Sequence, residues 1–160
     1  MPTERADIFT LASFGDLEAF KSKLNISEIN RKCEGGSSLL HCAIAGSNFD
    51  IASFLIKSGI DVNLRNSDGQ TALHLICVYQ NVEVAKELLQ KKANINLRDK
   101  YGNNPMWTAV FNCKGRNYEM VELFMTLHPD ILTKNKAEMS PLDFAMQVGN
   151  EKLIDILLKK

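Results

Sequence analysis

The stretch "GQTALHLICVYQNVEVAKELLQKKANINLR" runs from Gly69 to Arg98. Leu73, Ile76 and Cys77 fall at i, i+3 and i+4, and Val84, Ala85, Leu88 and Leu89 repeat that spacing beyond a short polar break. This is the pattern of two brief amphipathic helices joined by a turn. The same pattern lies in "GSSLLHCAIAGSNFDIASFLIKSGIDVNLR" from Gly36 and in "GNNPMWTAVFNCKGRNYEMVELFMTLHPDILT" from Gly102. Gly36, Gly69 and Gly102 recur every 33 residues, His41 and His74 share a register with Trp107, and Asp61-Val62-Asn63 matches Asn94-Ile95-Asn96. No single helix pair can bury its apolar stripe alone, so the units must stack, and the chain reads as an all-α repeat solenoid.

The period of 33 together with "GQTALHL", "GSSLLHC", "GNNPMW" and, near the end, "EMSPLDF" resembles the ankyrin repeat family, over almost the whole chain. The resemblance implies about five repeats of helix, turn, helix and hairpin loop in one domain of residues 1–160. Approximate boundaries are 4–32, 33–65, 66–98, 99–134 and 135–160, the first and last repeats being degenerate caps. "ADIFTLASFGDLEAFKSKL" keeps the two-helix pattern without the hairpin signature, and "EMSPLDFAMQVGNEKLIDILLKK" begins 36 residues after Gly102. The three extra residues fall in "NCKGRN", between two helices. There they lengthen a turn without moving the core register: either a solvated turn or, because inserted loops often bind, a second candidate site.

Gly69 and Gly102 supply the backbone freedom of the hairpin bends, and Ser38, Thr71, Asn104 and Ser140 stand where a side-chain oxygen caps a helix. In the family the histidine of the "TALH" position hydrogen-bonds to backbone near the turns and joins adjacent repeats. The resemblance therefore implies that His74 is structural. Its register mates His41, Trp107 and Asp143 maintain no common chemistry. His128, in "TLHPD", replaces the family's glycine at a helix end.

Composition excludes several function classes. Nineteen Lys and Arg against 19 Asp and Glu leave no net field for a nucleic acid or an anionic membrane. Nothing approaches the roughly 18 apolar residues of a membrane span, and the charges in "MPTERADIF" occupy the place of a signal peptide's apolar core, which points to the cytoplasm. Cys33, Cys42, Cys77 and Cys113 form no C-x-x-C pair, and free, buried or half-buried thiols are expected, with no metal and no cofactor. No nucleophile, base and orienting group converge, so no enzyme is expected.

Ankyrin repeats bind proteins, using hairpin tips and the concave side of the first helices. Carried over residue by residue, the resemblance implies a partner-binding surface. At the tips it consists of Glu34, Ser37, Ser67, Asp68, Gln70, Lys100, Tyr101, Asn103 and Lys136. On the first helices it comprises Phe14, Val78, Tyr79, Phe111 and Asn112. Phe14, Val78, Tyr79, Tyr101 and Phe111 are the expected anchors, with packing against the next repeat as the alternative for Val78 and Phe111 and packing alone as that for Tyr79 and Tyr101. The expected activity is that of a monomeric binding protein that occludes one macromolecular partner, resembling small immunity proteins that neutralise a toxin. The alternative is an adaptor joining two partners, or a fragment of a longer ankyrin protein.

Overall fold

The computed structural model describes residues 7–159. The stretch Met1–Ala6, where the first repeat was expected to begin and a signal peptide to be absent, lies outside them. Among the described residues there are ten α-helices and no strand. They pair as α1 (Ile8–Phe14) with α2 (Leu17–Lys23), α3 (Leu39–Ala45) with α4 (Phe49–Lys57), and α5 (Ala72–Tyr79) with α6 (Val82–Gln90). The series continues with α7 (Pro105–Asn112) and α8 (Glu119–Met125), then α9 (Pro141–Gln147) and α10 (Glu151–Leu158). Odd-numbered helices stack on one another as an inner layer and even-numbered helices as an outer layer. A 3-10 turn over Ile26–Glu28 follows α2 and was not anticipated.

Short helices need their ends satisfied, and nearly every end here is. Asp16 Oδ1 accepts from Ala19 N at 2.8 Å, Asn104 Oδ1 from Trp107 N at 2.8 Å, and Ser140 Oγ from Asp143 N at 3.1 Å. Pro105 and Pro141 open their helices where a missing N–H costs nothing. The core lies between the layers and repeats with the period: Leu40, Leu73 and Met106 on inner helices, and Leu55, Leu88 and Phe124 on outer ones, are all buried. The first cap is held on the outer side by Phe20, buried and edge-on to Phe54 with ring centroids 6.3 Å apart. On the inner side Gly46 lies so close to α1 that a Cβ there would meet Ser13 O at 2.1 Å.

Three hairpins are each organised by one residue of the same register. Asn66 Oδ1 accepts from Asp68 N and Gln70 N, Asp99 Oδ1 from Tyr101 N and Asn103 N, and Asn135 Oδ1 from Ala137 N and Met139 N. Cys33 occupies this position in the second repeat, whose hairpin closes through backbone bonds and the isolated bridge Lys32–Ser38. Neighbouring hairpins are cross-linked by long cationic side chains: Lys32 Nζ donates to Arg65 O at 2.7 Å, Arg65 to Arg98 O at 2.5 Å, and Arg98 to Lys134 O. A second row joins Asn30 Oδ1 to Asp61 N at 2.8 Å, Asn63 Oδ1 to Asn94 N at 2.7 Å, and Asn96 Oδ1 to Asp130 N at 3.1 Å.

Candidate partner-binding surface

His74 holds two repeats together. Its Nδ1 accepts from Thr71 N at 3.1 Å, and its Nε2 lies 3.0 Å from Asn103 O in the following hairpin. A carbonyl only accepts, so Nε2 carries the proton and the ring is neutral. His41 does the same one repeat earlier, with Ser38 N at 3.2 Å and Gln70 O at 2.9 Å. Burial holds both rings below the ordinary histidine range. The four cysteines are free, Cys33 and Cys42 half-buried, Cys77 and Cys113 buried. Burial pushes the Cys42 thiol up to about 11, far from a nucleophile's range.

The depressed histidines have a pH consequence. The unfolded chain binds protons at these rings near pH 6.5, whereas the folded chain resists them, so stability is complete above that pH and falls as the pH drops through it. Each ring contributes a slope of up to about 1.4 kcal/mol per pH unit. Urea midpoints measured between pH 8 and pH 5 should fall on the acid side, and a flat profile would contradict the neutral assignment.

The surface splits the expected contact residues into two groups. Phe14 is 82% exposed, Tyr101 54%, Val78 51% and Phe111 49%, so none of the four is consumed by packing against the next repeat. Glu34, Ser67, Lys100 and Lys136 are exposed at the tips. Ser37, Asp68, Gln70, Asn103 and Asn112 are half-buried, and the structure gives most of them internal work. The Gln70 and Asn103 carbonyls receive the histidines, Asn103 Oδ1 accepts from Asn135 Nδ2 at 2.7 Å, and Asn112 Nδ2 donates to Thr108 O at 2.8 Å. Asp68 and Lys100 pair with each other at 2.5 Å, which joins two tips rather than leaving both charges for a partner. Tyr79 is also exposed, but its hydroxyl donates to Ala45 O at 2.9 Å and its ring stands edge-on to Phe49, centroids 6.0 Å apart. Tyr79 therefore serves the scaffold as well as the surface, and truncating it costs stability, contrary to the reading of a free anchor.

Sequence reasoning missed the junction of the fourth and fifth repeats. Trp107 stands in the histidine register but cannot make the tie: its Nε1 is buried without a partner. Its ring instead stacks on Phe111 at 5.2 Å and reaches Phe144 at 5.9 Å, with Phe111 and Phe144 5.5 Å apart. Asn104 Nδ2 donates to Asp130 O at 2.8 Å within the fourth repeat. The signal was in the sequence as the Trp107, Phe111 and Phe144 spacing, which a reading confined to one repeat does not connect. The insertion in "NCKGRN" adjoins this junction, with Lys114 and Gly115 in the left-handed region and Tyr118 Oη donating to Gly115 O at 2.9 Å. It is thus a built turn rather than a merely solvated one.

No helix among the described residues is long and apolar enough to cross a membrane. No curated protein matches the chain. A family model described as ankyrin repeats (3 copies) matches residues 8–99 and 58–135. That span covers the first four helix pairs, including both histidines that reach forward to the next hairpin, and the chain belongs to the ankyrin repeat family.

Proposed function

We propose that the chain is a non-enzymatic binding module that docks a protein partner across its inner helices and hairpin tips and inhibits it by occlusion, as an immunity protein neutralises a toxin. Ankyrin repeats are in general protein-protein interaction modules and typically do no catalysis. One observation carries the reading. The five inner helices contain a single charged side chain, Asp143, which is held by Ser140 N at 3.0 Å and Ser140 Oγ at 2.8 Å. On the same five helices Phe14, Val78, Phe111 and Met146 are open to solvent. Depletion of charge with exposed aromatic and aliphatic groups is the composition of an interface centre, and the mixed charges of the tips suit its rim. Docking of this kind buries about 1,200–2,000 Å² in total. The proposed setting is the cytoplasm, with a monomeric free protein.

The test is a pull-down from source cells with the tagged chain, followed by affinity measurement on the captured protein. The variant Val78→Ala with Tyr101→Ala should weaken binding by about 2 kcal/mol or more while the thermal midpoint stays near that of the parent. The Tyr101 side chain is exposed, with the Lys100 ammonium 5.0 Å from its ring centroid, so its loss should not disturb the core. Unchanged affinity refutes the inner-face assignment. The adaptor reading has its own observation in the outer-face groove where Leu89, Leu123 and Leu127 meet between α6 and α8. Two proteins captured independently would favour it.

A further inference from the structure

The junction between the last two repeats contains an opening at the edge where the turns between paired helices lie. Between the first and second repeats Gly46 sits against Ser13, and Asn48 Nδ2 donates to Gly15 O at 2.8 Å. Between the second and third, Tyr79 covers Ala45 and Phe49. At the corresponding edge of the fourth and fifth, the inserted turn stands away from α9 and leaves a cleft of about 280 Å³. Phe111, Phe144, Val148 and Leu153 form its apolar lining, and Lys114 and Gly115 its rim. The turn is fixed in place, since Tyr118 Oη donates to Gly115 O at 2.9 Å and accepts from Asn150 Nδ2 at 3.2 Å. A cleft of this size suits one large side chain, not a cofactor.

We propose that this cleft is the anchoring subsite of the partner-binding face, taking one aromatic side chain from a protein segment whose flanking residues are acidic. The inference rests on the inner-face reading above and names the chemistry of what binds there. The lining is apolar and includes Phe111, already 49% exposed and stacked with Trp107, so an entering ring extends an existing aromatic cluster. The cleft's single charged lining residue is Lys114, and Arg116 follows it in the same turn. Neither makes an ion pair among the described residues. The nearest acids in sequence, Glu119 and Glu151, begin α8 and α10 and do not line the cleft. An uncompensated cationic rim over an apolar floor selects acidic flanks and disfavours basic ones.

The experiment is an amide chemical-shift titration of the full chain with the blocked peptide Asp-Glu-Phe-Glu-Asp. Its comparison peptides are Asp-Glu-Ala-Glu-Asp and Lys-Arg-Phe-Arg-Lys. The acidic phenylalanine peptide should shift Phe111, Lys114, Gly115 and Val148 with a dissociation constant of about 1 mM. The other two should bind at least about five-fold more weakly. Val148→Trp, which fills the opening from a half-exposed position, and Lys114→Glu should each reduce the effect at least about five-fold while leaving the remaining spectrum unchanged. No localised shift up to about 5 mM, shifts centred on the tips, or equal binding of the basic peptide overturns the proposal. The two readings fail separately. If Val78→Ala with Tyr101→Ala weakens the captured protein's binding but Val148→Trp does not, the cleft is wrong and the inner face stands. If the peptide maps to the cleft while the first variant binds that protein normally, the reverse holds.

Discussion

Gly46→Ala is expected to detach the first repeat from the rest of the solenoid. The added methyl would sit 2.1 Å from Ser13 O and 2.7 Å from Ser13 C, both backbone atoms that no rotamer change can move. Gly46 has φ −79°, which any residue adopts, so the demand for glycine comes from the approach of α1 to α3 alone. Relief requires the two helices to separate, and with them goes the Asn48 to Gly15 bond. A solenoid's stability is a sum over neighbouring units, so the damage should stay local. We expect a loss of about 4 kcal/mol or more from the first junction. In hydrogen exchange the amides of α1 and α2 should lose protection while α5 to α8 keep theirs. Gly59→Ala is the control: it has nothing within 4 Å but φ +89°, and should cost only about 1 kcal/mol. Parental protection of α1 in Gly46→Ala would sink the prediction.

His74→Ala should be the most costly change at a polar group. It removes the bonds to Thr71 N, Thr71 Oγ1 and Asn103 O; buried Thr71 loses the partner of its N–H, while Asn103 O keeps Asp99 N at 2.8 Å. The orphaned amide costs about 1–3 kcal/mol, and the void left by the ring adds to it, so a total near 3–5 kcal/mol is expected. For a chain of this length the thermal midpoint then falls by about 6–16 °C. Partner binding, measured well below that midpoint, should be unchanged, because His74 is fully buried and cannot touch a ligand. A loss under about 1 kcal/mol would show that the ring is filler rather than a tie.

Periodicity made the fold legible because the solenoid's core is periodic. Leu73, Ile76, Val84 and Leu88 declare their burial through spacing, and all four are buried. The helix caps at Ser38, Asn104 and Ser140 were legible because the N-cap requirement is local. The candidate surface was legible only in part. Position within a repeat marked Phe14, Val78, Tyr101 and Phe111 as surface candidates but left packing open for the last three, and all four are exposed. It could not foretell that Gln70 and Asn103 lend their carbonyls to histidines about 30 residues away, because those bonds depend on how one repeat sits on the next. The aromatic junction escaped for a related reason. Trp107 and Phe144 belong to different repeats, and the extra residues of "NCKGRN" disrupt the alignment just where they meet.

The row of cationic side chains from Lys32 through Arg65 and Arg98 to Lys134 has a mechanical consequence. Each link spans one hairpin to the next and joins carbonyls that backbone bonds already hold in place, so the tip edge behaves as a tether of nearly fixed length. The opposite edge holds its repeats by isolated bonds of differing kind: Asn48 Nδ2 to Gly15 O, Tyr79 Oη to Ala45 O, and Asn150 Nδ2 to Tyr118 Oη. Bending under load is then anisotropic: the solenoid flexes about the tethered edge like a book about its spine.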